Sequence, residues 1–121
     1  MIRSYLNYLF VLITLLMPMN LWAQFAITPE PLLETCAITV DYTNSSATNT
    51  VEYRNTGTGT WKNAFPLVWD PNSSKFTGSI VNLEEETDYD VRVTFFVGGS
   101  QNQQSTSTFS TWVKTENLPV G

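Results

Sequence analysis

The chain has 121 residues, room for one domain, and its 42% apolar and 13% aromatic content is enough to build a core. Eleven acidic side chains against six basic ones leave a net charge of −5, which excludes the basic face that a nucleic-acid binder needs to displace counterions from phosphates. With Cys36 as the one cysteine and no histidine, an internal disulfide is excluded, and zinc and the usual base for nucleophilic catalysis are poorly supplied.

In chain order, Arg3 precedes an apolar run from Tyr8 to Met17 that only Thr14 interrupts and Pro18 ends; Leu21-Trp22-Ala23 then offers a small residue before Gln24. This is the pattern of a secretory signal peptide over residues 1–23. The run is about ten residues long, where a membrane span needs roughly twenty, so no stable membrane insertion is expected after cleavage. Cys36 lies well beyond the run and follows Glu34-Thr35 rather than small residues, which argues against a lipid anchor. Removal of residues 1–23 leaves five basic against eleven acidic side chains. The expected product is an acidic module that is secreted, held at the cell surface or periplasmic.

Residues 24–35 contain Pro29 and Pro31, which cannot sit inside a central ladder, so they read as a lead-in segment or an edge strand. A clear strand follows, in which Cys36, Ile38, Val40 and Tyr42 alternate with Ala37, Thr39, Asp41 and Thr43. Asn44 to Asn49 is a polar turn cluster, and the next strand, Thr50 to Arg54, points Val51 and Tyr53 inward. Asn55-Thr56-Gly57-Thr58-Gly59 turns the chain, and Thr60-Trp61-Lys62 begins a short strand. Ala64 to Asp70 is apolar yet carries Pro66, which predicts an edge strand, with Asp70 to Ser74 the turn beyond it.

From Lys75 the chain places Phe76, Gly78 and Ile80 on one face, a phase that leaves Leu83 out. Either a bulge near Gly78 or Ser79 resets the register or the strand ends at Asn82. Tyr89, Val91, Val93 and Phe95 then alternate with Asp88, Asp90, Arg92 and Thr94, the period of a half-buried strand. Gly98-Gly99-Ser100 closes a hairpin, and a polar run from Gln101 to Thr106 precedes a last strand, Ser107 to Lys114, with Phe109 and Thr111 opposite Ser110 and Trp112. About seven short strands without a convincing helix predict an all-β fold, a two-sheet antiparallel sandwich over residues 36–115, with 116–121 an exit linker.

Leu83 and Tyr89 bracket Glu84-Glu85-Glu86-Thr87-Asp88. A leucine that closes one strand and a tyrosine that opens the next make a corner between sheets, the ring buried and its hydroxyl reaching back to a backbone group that the turn would leave unpaired. Together with Tyr53-Arg54, Thr60-Trp61 and the run from Gly78 through Leu83, Thr87 and Tyr89 to Val91-Arg92-Val93, this corner resembles that of a fibronectin type III domain, an immunoglobulin-like sandwich. The resemblance covers roughly Ile27 to Thr115, with Tyr42 where the second strand of such domains usually carries Trp.

The stretch from Trp61 to Val68, taken with the corner, is similar to small modules that stand before large domains in secreted bacterial proteins. The resemblance implies a non-catalytic spacer or docking module, the N-terminal part of a larger protein such as a polysaccharide-active enzyme or adhesin. Its partners would be a neighbouring domain, an extracellular protein or a polysaccharide. Residues 116–121 suit a chain that continues.

Leu83, Thr87 and Tyr89 are therefore the fold-defining corner. Glu84, Glu85, Glu86, Asp88 and Asp90 offer hard oxygen ligands for calcium, or an acid–base pair for glycoside cleavage. The plainer reading is a solvated loop, since such cleavage needs a walled cleft. No catalytic, cofactor-binding or metal-ligating residue is assigned, and the chain is expected not to be an enzyme. Trp61, Phe65, Trp69 and Trp112 lie on edge-like or terminal segments, where a flat exposed ring stacks on a sugar or docks a neighbour. Trp61, Trp69 and Trp112 are the candidate ligand-stacking residues of a carbohydrate-binding module; otherwise they fill the core ends. Asn44 and Asn72 open Asn-x-Ser sequences, glycan acceptors in a cell that makes such glycans.

Overall fold

The computed structural model describes residues 24–114; the expected signal peptide and the exit linker lie outside the described residues. Its regular elements are eight strands: β1 (Ile27–Pro31), β2 (Cys36–Val40), β3 (Thr48–Asn55), β4 (Lys62–Ala64), β5 (Val68–Asp70), β6 (Lys75–Ile80), β7 (Asp88–Val97) and β8 (Ser100–Ser110). They form two antiparallel four-stranded sheets, ordered β1-β2-β6-β5 and β4-β3-β7-β8. The expected sandwich is there, and the prolines of β1 sit on a sheet edge, where a missing N–H costs no ladder bond.

Period-two alternation makes the core. Cys36, Ile38 and Val40 of β2 and Phe76 and Ile80 of β6 face Val51 of β3, Tyr89, Val91, Val93 and Phe95 of β7, and Phe109 of β8, all buried. Each such side chain contributes about 1.5–3 kcal/mol on leaving water. At one end of the core the Tyr42 ring stacks on Phe95 with centroids 4.0 Å apart, while Phe25 and Phe76 meet Phe95 edge-on at 5.0 and 4.8 Å. Tyr42 thus supplies the large inter-sheet ring, and its hydroxyl donates to Asn102 Oδ1 at 2.6 Å.

Four details differ from the sequence reading. Ala64 to Asp70 is not one edge strand: Ala64 ends β4 on one sheet, Phe65-Pro66-Leu67 crosses the sandwich, and Val68 opens β5 on the other. Asn49 belongs to β3, not to a turn, and is buried. Its amide donates to Leu67 O at 2.9 Å and accepts from Leu67 N–H at 2.7 Å, so one side chain supplies the ladder bonds that the crossing lacks. β6 ends at Ile80, without a bulge and before Asn82, and Asn82 at φ +58° turns the chain so that Leu83 drops into the core. Finally, the polar run 101–106 is itself part of β8, entered through Gly98 and Gly99 at φ +60° and +83°, as the tightest hairpin turns require.

β8 carries small polar residues inward because β1 runs beside it. Ser105 Oγ donates to Phe25 O at 2.8 Å, and just past the ends of both strands Trp112 N–H donates to Leu32 O at 2.9 Å.

Candidate functional site

The corner closes on itself. Tyr89 Oη accepts the Glu84 N–H at 2.8 Å, the backbone group that the sequence reading required. Thr87 N–H donates to Thr111 Oγ1 at 2.9 Å, Thr111 Oγ1 donates to Glu84 O at 2.6 Å, and Glu86 N–H donates to Trp112 O at 3.0 Å. Leu83 fills the core beneath, and Glu84, Glu86 and Asp88 point to solvent. Among the described residues no three acidic or cysteine side chains converge on a point where a metal would sit.

The three tryptophans occupy three different settings. Trp61 precedes β4 and lies on the outer face of β3 and β7, where Glu52 stands opposite Arg92 and Arg54 opposite Asp90. Arg92 holds Glu52 with two bonds of 3.0 and 3.1 Å, and Arg54 holds Asp90 at 3.0 Å. Both guanidiniums rest on the Trp61 ring, 4.3 Å (Arg54) and 4.2 Å (Arg92) from its centroid, so its π face is already engaged by cations of the same sheet. Trp69 turns inward from β5 and meets Phe76 edge-on at 5.2 Å, at the margin of the core. Trp112 alone of the three stands open, 56% exposed beside the exposed Leu32 and Val113, while its backbone is pinned to Leu32 and Glu86. Among the described residues no ring contact joins any two of them.

A fourth ring is more open than any of these three tryptophans. Phe65, at the crossing between β4 and β5, is 75% exposed and borders a depression of about 240 Å³ between the two sheets. The sequence put Phe65 among the aromatics worth attention but gave no reason to prefer it, because the apolar segment around Pro66 reads as one strand.

Two titratable groups are shifted from their ordinary range. Burial pushes the Cys36 thiol up to about 11, which keeps it neutral and unreactive at physiological pH. The Ser73 hydroxyl and the Asn72 N–H hold the Asp70 carboxyl below its ordinary range, which marks Asp70 as the cap of an exposed turn. The glycan-acceptor candidates Asn44 and Asn72 both lie on exposed turns.

No family model and no curated protein matches the chain. Solved structures do, and fibronectin type III domains recur among them. The domain of human fibronectin type III domain containing protein 3 is 11% identical with a TM-score of 0.56, over 79% of this chain and 91% of that one. A family 56 carbohydrate-binding module, a β-1,3-glucan binding domain, is 14% identical with a TM-score of 0.52, over 72% of this chain and 99% of that one. A family 64 laminaripentaose-producing β-1,3-glucanase from Paenibacillus barengoltzii is 14% identical with a TM-score of 0.53, over 79% of this chain but 22% of its own. These likenesses concern the backbone: the chain is a fibronectin type III-like β-sandwich.

Proposed function

We propose that this fibronectin type III-like sandwich is a non-catalytic, exported module that positions a neighbouring domain in a larger protein. The observation that carries the reading is the apolar face of Leu32, Trp112 and Val113, 49%, 56% and 55% exposed, next to Lys114, where the described residues end. The Trp112 N–H bond to Leu32 O holds the backbone of that face rigid while the ring stays open, a suitable abutment for the next element. Supporting it, the lone thiol is held neutral by burial and the charges of the outer β3–β7 face are paired with one another.

Extending the gene sequence past the codon for Gly121 and comparing acrylamide quenching of Trp112 in the two forms tests this. The expected result is that Trp112 becomes shielded in the longer protein; equal quenching with and without the downstream chain would overturn docking at this face.

A second reading, a carbohydrate-binding module, is supported by the likeness to the β-1,3-glucan binding domain and by the open ring at the β4–β5 crossing. On that reading a β-1,3-glucan is the first ligand to try.

A further inference from the structure

Phe65, 75% exposed, is the most exposed large apolar side chain among the described residues, and its backbone is constrained on its far side. Pro66 fixes its own φ and restricts Phe65 to extended backbone. Leu67, buried and tied at both its N–H and its C=O by the Asn49 amide, anchors the far side. A ring held this way loses little conformational freedom on binding, which is what a contact surface requires. Beneath it lies the depression of about 240 Å³ shared by β3, β4 and the end of β6, bordered by Tyr53, Asn63, Phe65, Ser79, Val81 and Asn82.

The polar groups there are uncommitted. Elsewhere the Asn44, Asn49 and Asn102 amides all take partners within the protein. The Asn63 and Asn82 amides, the Ser79 hydroxyl and the Tyr53 hydroxyl take none among the described residues. An amide presents a donor and an acceptor side by side, the complement of a hydroxyl that both donates and accepts. No lining residue is charged, so the depression has nothing to neutralise a phosphate or a uronate. One flat apolar platform with several uncharged amides and hydroxyls around it matches a pyranose, whose faces are C–H and whose rim is hydroxyl.

We infer that the β4–β5 crossing is a subsite for one residue of a neutral polysaccharide, with Phe65 as the stacking platform and Asn63 and Asn82 as the hydrogen-bonding groups. This rests on the second reading above and moves its site from the tryptophans to Phe65.

The test is affinity electrophoresis of the full chain in native gels cast with a soluble β-glucan, a soluble starch or a galactomannan. The expected result is retardation in at least one gel. Phe65→Ala weakens it about tenfold or more, as loss of a central aromatic anchor does. Asn82→Gly, which keeps the left-handed backbone and removes the amide, weakens it too; Phe65→Tyr and Trp112→Ala retain it. All four variants are exposed-site changes and should melt with the parent. Retardation that survives Phe65→Ala and disappears in Trp112→Ala would overturn this subsite while leaving a carbohydrate-binding module with its site elsewhere. No retardation in any gel would overturn both.

Discussion

Of the three places where the chain changes sheets, two make an instructive pair: the corner between β6 and β7, and the crossing between β4 and β5. Each drops a leucine, Leu83 or Leu67, into the core, and each uses one side chain to replace ladder bonds lost at the change of sheet. At the corner Tyr89 Oη takes the Glu84 N–H; at the crossing the Asn49 amide takes both polar groups of Leu67. What surrounds these ties differs. The corner is folded against the end of β8, and Thr87, Thr111 and Trp112 tie several more of its backbone groups. The crossing has a single tie, and around it Phe65 and Val68 stand 75% and 69% exposed with the Asn63 and Asn82 amides unused. A loop tied at several points is a fastener, whereas one fastened at a single point keeps surface for something else.

The pair can be broken from either side. Leu83→Ala should cost about 2 to 5 kcal/mol as a core truncation, read as a lowered urea midpoint with unchanged slope. An unmoved midpoint would mean that the corner does not carry the core end. Asn49→Leu should cost about 2 to 4 kcal/mol, because both the N–H and the C=O of buried Leu67 lose their partner. In addition, hydrogen exchange at the Leu67 amide should accelerate while exchange at β7 tracks only the global loss of stability. Tyr89→Phe should cost about 1 kcal/mol, one partly buried N–H losing one acceptor. If Asn49→Leu proved the milder of these two, the crossing would be held by packing alone and the contrast would fail.

The corner was legible in the sequence because its logic is local: Leu83 and Tyr89 lie six positions apart and the hydroxyl bond spans five. The β7 alternation was equally plain, since its inward face is a run of large apolar residues. The crossing was not legible, because its tie is distant: Asn49 and Leu67 are 18 residues apart, and Asn49 sits among polar residues that read as a turn. The same reason hid the true length of β8. Its inward Ser105 bonds Phe25 O, 80 positions away, so a strand with a buried serine reads as a polar run. For the rings, composition marked them out together, but what separates them is contact. Arg54 and Arg92 sit on Trp61 only because β3 and β7 pair in the register that sets Glu52 against Arg92.

The two bonds that join the segment around β8 to the segment around β1, Ser105 to Phe25 and Trp112 to Leu32, advance by seven residues on each side, so β1 and β8 run in the same direction. The chain therefore comes in at one end of the sandwich and goes out at the other. Tension applied between residues 24 and 114 acts along the strands, and it strains the β1–β2 and β7–β8 ladders in shear, many bonds at once, rather than peeling them one by one. A sandwich threaded in this way carries a pull between residues 24 and 114 along its own long axis.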